Sequence, residues 1–312
     1  MKLSFVFPGQ GSQSIGMMKG YSDLPIVKDT FTEASDILHE DFWAMVNNGP
    51  PDSLNLTTNT QPLMLMSGIA VYRAWKNLGG PNPAFIAGHS LGEYTALVVS
   101  GAMTYKDALS VVRFRGEVMQ QAVPEGIGKM AAILGLEDDV IRTICNEVTK
   151  DSEEESLEPA NFNSPGQVVI AGHKNAVLQG IKLAKEKGAK MAVLLPMSVP
   201  SHCSLMAPAA TKMKQKLEMI ALQAPSIPVI HNADVKQHKN SVDIKAILVK
   251  QLCIPVRWTD TINTLTTEDV THIAECGPGK ILTGLNRRIN KNLQNIALTD
   301  TNALRQTISI LV

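Results

Sequence analysis

The chain has 312 residues, enough to bury a large core and carry a smaller domain beside it. Hydrophobic residues make up 44% and charged residues 19%, which excludes a disordered or fibrous chain. Twenty-nine basic residues balance 29 acidic ones, so no whole-molecule field draws it to nucleic acid or a membrane. After Lys2 the apolar run Leu3–Phe7 is short and stops at Pro8, which reads as a strand and not a secretory leader. No apolar run reaches the roughly 18 residues of a spanning helix, so the cytoplasm is the expected compartment. Cys145, Cys203, Cys253 and Cys276 form no C-x-x-C pair, and their spacing suits neither zinc nor a disulfide framework. They read as reduced thiols, and no metal is expected.

In chain order, the first strand (3–7) runs into the loop Pro8-Gly9-Gln10-Gly11-Ser12-Gln13. A helix is expected over 63–78 from its length and the stripe Met66, Ile69, Ala70, Tyr72, Arg73. A Gly/Pro-rich turn (79–83), a strand (84–88) and a helix (91–100) follow. This alternation indicates α/β architecture with a mostly parallel sheet. Beyond it come a strand (128–134), a helix (137–149) and an acidic stretch, Asp151–Glu158, expected as a solvated loop. Strands at 159–163 and 167–172, a helix at 174–187 and a strand at 189–195 complete a βαββαβ unit, the ferredoxin-like order. Pro124 and Pro196 bracket it. The expectation is a large domain from 1–124 and 197–312 with an inserted subdomain at 125–196.

Gly88-His89-Ser90-Leu91-Gly92 is a G-x-S-x-G sequence between an expected strand and helix, the context a nucleophile elbow requires. In so sharp a turn neighbouring backbones leave no room for side chains at the glycines, and Ser90 is raised with its hydroxyl exposed. The following helix N-terminus favours developing negative charge. The competing reading is an ordinary glycine turn. A serine hydroxyl needs a base. Of seven histidines, His89 adjoins the serine but leaves the turn in another direction. His202, after a strand and a proline-containing loop, is a candidate base, against the reading of a structural histidine. Gly9-Gln10-Gly11-Ser12-Gln13 lacks the third glycine of a dinucleotide loop, and Gly277-Pro278-Gly279-Lys280 lacks the Ser/Thr of a phosphate loop. Both read as tight turns; the first has backbone N–H groups that an oxyanion could use. Arg113 and Arg115 share one helix, and this pattern does not choose between them.

Together these segments resemble the malonyl-CoA:acyl carrier protein transacylase family, most nearly its stand-alone bacterial type. The resemblance covers nearly the whole chain and rests on seven motifs in order. They are Phe7–Gln13, Gly88–Tyr94, Arg115-Gly116, Asn161–Gln167, Ser198–His202, Gln251-Leu252 and Gly277–Lys280. It implies a large α/β-hydrolase-like domain with a ferredoxin-like subdomain and a site in the cleft between them. It implies Ser90 as nucleophile and His202 as base. Backbone N–H groups of Gln10 and Leu91 would form the oxyanion hole. Arg115 would bind the malonyl carboxylate, and the Gln251 carbonyl would orient the imidazole. Asn161 would lie near the coenzyme or carrier arm. The implied partners are malonyl-CoA, a coenzyme A thioester that is substrate and not cofactor, and acyl carrier protein; no cofactor is expected. Two other readings stay open. A thioesterase would use the same serine and histidine with an acid such as Asp138, Asp139 or Asp151, and a scaffold protein would use the fold without catalysis.

Overall fold

The structure, a computed structural model, describes residues 1–152, 154–197 and 199–311. Ser198, the first residue of the segment leading to His202, lies outside the described residues. The strands are β1 (Leu3–Phe7), β2 (Phe85–Gly88), β3 (Gly128–Leu134), β4 (Leu157–Ser164), β5 (Gln167–His173), β6 (Met191–Leu194), β7 (Val229–Ile230), β8 (Val256–Arg257), β9 (His272–Glu275) and β10 (Gln294–Ala297).

One sheet runs β10-β9-β1-β2-β7, and every neighbouring pair in it is parallel. β1 lies at its centre and is buried along its whole length, as a strand covered on both faces must be. On one side, Phe5 and Phe7 join the core of the helices Pro25–Leu38, Thr57–Asn77 and Tyr105–Gln120. On the other, Val6, Ala87 and Ile273 pack with Trp258, Ile262 and Leu285.

The second sheet runs β6-β3-β5-β4-β8. Its first four strands are antiparallel neighbours, and with the helices Asp138–Lys150 and Lys174–Glu186 they reproduce the ferredoxin-like order. The fifth member is not foreseeable from local pattern. β8, a two-residue strand about ninety residues further along the chain, adds in parallel to β4 through Asn161↔Val256 and Phe162↔Arg257. A segment that follows the subdomain in sequence thereby completes the small sheet by backbone pairing.

Three expected boundaries move. The helix expected from 63 starts at Thr57, with Pro62 inside it. Proline has no N–H for the Thr58 carbonyl one turn back. Arg113 Nη1 donates to that carbonyl at 3.2 Å, so the helix continues through the proline. The acidic stretch is not loop to its end, because β4 begins at Leu157, which is buried against the subdomain's helices. Its neighbour Glu158 accepts the N–H of Ser204 at 3.0 Å, holding the segment after His202. The last strand of the unit is shorter than expected, Met191–Leu194.

Candidate active site

The turn after β2 is as tight as its glycines suggest. A Cβ on Gly88 would lie 1.9 Å from the Gly92 carbonyl carbon, and one on Gly92 would lie 2.0 Å from the Phe7 oxygen. Any other residue at either position would force the strand and helix apart. Ser90 sits between them with φ +52°, in the left-handed region that side chains rarely adopt. Asn232 holds this conformation from both sides: its Oδ1 accepts the Ser90 N–H at 2.6 Å and its Nδ2 donates to the Gly88 carbonyl at 2.6 Å. The N–H of Ser90 is therefore occupied and not offered to substrate.

Ser90 Oγ donates to His202 Nε2 at 2.7 Å, and His202 Nδ1 donates to the Gln251 carbonyl at 2.8 Å. The partner of the imidazole is thus a main-chain oxygen. Asp138 and Asp139 stand in the first turn of a subdomain helix and Asp151 caps its end, so the acid that a thioesterase reading needs is not at the imidazole. His202, like the serine, has a positive φ, +62°. It is buried, and its pKa is pushed down to about 3, first by desolvation and then by the nearby Arg115 charge. The ring is held neutral, the form that accepts a proton. His89 turns away: its Nε2 donates to Asn163 Oδ1 at 2.8 Å, and its ring lies 5.4 Å from that of Trp258.

Arg115 is 1% exposed, an unusual state for a guanidinium. Nη1 donates to Gln61 Oε1 at 2.9 Å, and Nη2 reaches Gln251 Oε1 at 3.2 Å and Ser90 Oγ at 3.3 Å. Both amide partners are neutral, and Nε has no partner among the described residues. Burial lowers the Arg115 pKa without a direct ion pair to offset it. The charge is held beside the serine with its Nε–H uncommitted among the described residues. Arg113, two residues away, points elsewhere, to Glu40 Oε2 at 3.0 Å and Asn59 Oδ1 at 2.8 Å.

The loop after β1 lies against the elbow, where a Cβ on Gly9 would stand 2.6 Å from the His89 oxygen. Gln13 Oε1 ties the loop down by accepting the Gly11 N–H at 2.7 Å. Among the described residues the N–H groups of Gln10 and Leu91 donate to no protein acceptor. Leu91 is the residue before the helix Gly92–Val99, where such free N–H groups gather. Asn161 is buried on β4 and makes no side-chain hydrogen bond among the described residues, whereas Asn163 is engaged with His89. Gly277–Lys280 packs on the first loop: a Cβ on Gly277 would meet the Pro8 ring at 2.9 Å. It is a support and not a phosphate cradle. Among the described residues no group of His, Cys, Asp or Glu could hold a metal ion, and no helix is long and apolar enough to cross a membrane.

Gln61, Glu93, His231 and Asn232 escaped the sequence reading as site residues. Only Glu93 carried a local signal, a carboxylate within the short helix 92–99 whose first six residues are all buried.

An elbow serine bonded to a histidine, with free N–H groups and a buried guanidinium beside it, is the equipment of an acyl-transferring enzyme. The family model described as acyl transferase domain matches residues 4–295. The malonyl CoA-acyl carrier protein transacylase of Escherichia coli K12 is 48% identical over 310 residues, covering 99% of both chains. A solved acyl-carrier-protein S-malonyltransferase from Burkholderia pseudomallei superimposes with a TM-score of 0.97 at 49% identity, covering 99% of this chain and 100% of that one. A malonyl-transacylase solved in complex with its type II PKS acyl-carrier protein matches with a TM-score of 0.97 at 46% identity, covering 99% of this chain and 100% of that one. The chain is an acyltransferase and belongs to the malonyl CoA-acyl carrier protein transacylase family.

Proposed function

We propose that the enzyme transfers malonyl from malonyl-CoA to the phosphopantetheine thiol of acyl carrier protein by a ping-pong path through malonyl-Ser90, supplying fatty acid biosynthesis in the cytoplasm. The observation that carries this reading is the buried Arg115 guanidinium, bonded among the described residues only to neutral groups, 3.3 Å from the Ser90 hydroxyl. A buried cation with free donors calls for an anionic acyl group, and malonyl has a carboxylate at its far end.

Ser90 Oγ attacks the thioester carbonyl while its proton passes to His202 Nε2. The Gln251 carbonyl keeps Nδ1–H in place and stabilises the imidazolium that forms. The tetrahedral oxyanion sits between the Gln10 and Leu91 N–H groups, each of which lacks a protein acceptor among the described residues. The C–S bond breaks, and the leaving sulfur takes the proton from His202. The carrier thiol enters by the reverse path: it gives its proton to His202, attacks the ester, and Ser90 recovers its proton. Thioester and ester lie close in energy, so the exchange needs no metal or nucleotide. Asn161, buried with its amide unengaged, is the residue we assign to the coenzyme or carrier arm.

Intact-protein mass measurement after mixing with malonyl-CoA tests the intermediate. A single malonyl adduct should appear, map to the Ser90 peptide, and vanish on adding carrier or on changing Ser90→Ala. A normal yield of adduct in the alanine variant would sink the assignment.

A further inference from the structure

Glu93 is fully buried, one residue into the helix that follows the nucleophile, and three donors converge on it. Oε1 accepts from His231 Nδ1 at 2.6 Å. Oε2 accepts from the Asn232 backbone N–H at 3.0 Å and from Gln251 Nε2 at 2.9 Å. An acidic residue in a first helical turn ordinarily complements the helix dipole, and that alone would make Glu93 a stability residue. What distinguishes it is the identity of its partners.

Gln251 is 1% exposed, and each of its polar side-chain atoms is engaged. Nε2 donates to the Ser90 carbonyl at 3.0 Å as well as to Glu93, Oε1 accepts from Arg115, and its main-chain carbonyl accepts from His202. A side-chain amide can be seated either way round, and its surroundings decide which. A carboxylate only accepts, so Glu93 compels the NH₂ end of Gln251 to face it. The amide oxygen is thereby turned to Arg115. With the amide reversed, an NH₂ group would face the guanidinium and push it off the serine. A further Glu93 partner, Asn232, is the residue whose side chain brackets the elbow.

We infer that Glu93 is a positioning residue for acyl-group selectivity: by setting the sense of the Gln251 amide, it seats the Arg115 guanidinium against Ser90. The inference rests on the reading of Arg115 as the carboxylate-binding group. It places the origin of malonyl selectivity one layer behind the residue that touches the substrate.

The test compares malonyl-CoA and acetyl-CoA transfer in Glu93→Met and Glu93→Gln, with Arg115→Ala assayed alongside. Methionine fills the volume but offers no comparable acceptor. Glutamine keeps an oxygen for Gln251 and Asn232 and turns its NH₂ to His231, whose ring can change tautomer to accept. Glu93→Met should narrow the malonyl-over-acetyl ratio of kcat/KM by at least about fivefold, and Glu93→Gln should restore most of it. A residue that only stabilises the fold would lower both rates by one factor and leave the ratio alone. If Glu93→Met does not fold, Glu93→Asp replaces it: the charge stays, but the oxygens withdraw from Gln251 by one methylene, and the ratio should narrow likewise. An unchanged ratio in the folded variant overturns the inference. If Arg115→Ala shifts the ratio in the same assay, the inference falls alone; if it does not, the Arg115 reading falls with it.

Discussion

Replacing Arg115 by alanine asks most directly whether the site reads a carboxylate. The guanidinium makes contacts of 2.9, 3.2 and 3.3 Å to uncharged groups, and its Nε–H has no acceptor among the described residues. A malonyl carboxylate brings the full negative charge that the fork lacks, at a buried position where screening is weak. Charged hydrogen bonds contribute about 1.5–3 kcal/mol each, and a bidentate pair also displaces the long contact to Ser90 Oγ, so the net loss should be about 2–4 kcal/mol. That is roughly a 30- to 1000-fold fall in kcat/KM for malonyl-CoA. Acetyl-CoA has only a methyl group to set against the cation, so its transfer should hold or improve. Lysine should rescue malonyl transfer only in part, because a point charge lacks the planar fork. The substitution has a second signature in pH. If His202 is the base, as proposed, it works in its neutral form, and activity should persist as pH falls until that ring protonates, at about 3. The Arg115 charge is the second cause of the depression, after burial. Without it the folded pKa rises toward the ordinary value of 6.5, and the acid limb of acetyl transfer should move to higher pH. Steady-state rates for both thioesters across pH on one preparation supply both results. Equal losses with the two substrates, or an acid limb that stays in place, would refute the reasoning. Arg113 would not then inherit the role, since its fork is committed to Glu40, Asn59 and the Thr58 carbonyl.

His202→Ala should leave Ser90 in place but unactivated, with acyl-enzyme formation slowed at least about 10²-fold in rapid-quench measurements; His89→Ala should be far milder, and the reverse ranking would mean that the base was misassigned. Arg288 reaches across from the helix Ile281–Ile289 to Gln167 on the small sheet, which puts a cation at the seam between the two sheets. If an acidic carrier docks there, Arg288→Ala should raise the Michaelis constant for carrier but not for malonyl-CoA, and added salt should do the same to the unaltered enzyme; equal effects on both substrates would remove the idea.

Much of the architecture was legible because its signals are local. The βαββαβ order of the small unit and the strand–turn–helix around Ser90 each depend on residues within a few positions of one another. What escaped was set by distant partners. The helix at Thr57–Asn77 runs through Pro62 because Arg113, 55 residues on, serves the carbonyl the proline abandons. β8 is two residues long and is a strand only because β4 lies beside it. Gln251 meets His202 through a main-chain carbonyl, which every residue possesses, so no side-chain pattern could mark it and only the family resemblance named it.

Arg115 is the instructive case, since a usable signal was present. On the helix Tyr105–Gln120 the buried positions include Ala108, Val111, Val112, Arg115, Gly116 and Met119, which recur at three- and four-residue spacing. Arg115 lies inside that apolar stripe. Arg113, about 200° around the helix from it, lies outside and is only half-buried. An arginine on the core side of a helix is either paired in the interior or waiting for an anion. Here its protein partners are amides and a hydroxyl, with the nearest buried carboxylate, Glu93, spent on Gln251 and its neighbours. A direct Glu93–Arg115 pair would satisfy the guanidinium and close the site to an incoming carboxylate. Interposing Gln251 leaves the positive charge without a direct ion pair at the serine, and in the proposed reading that is the physical basis for selecting an acyl group that carries its own negative charge.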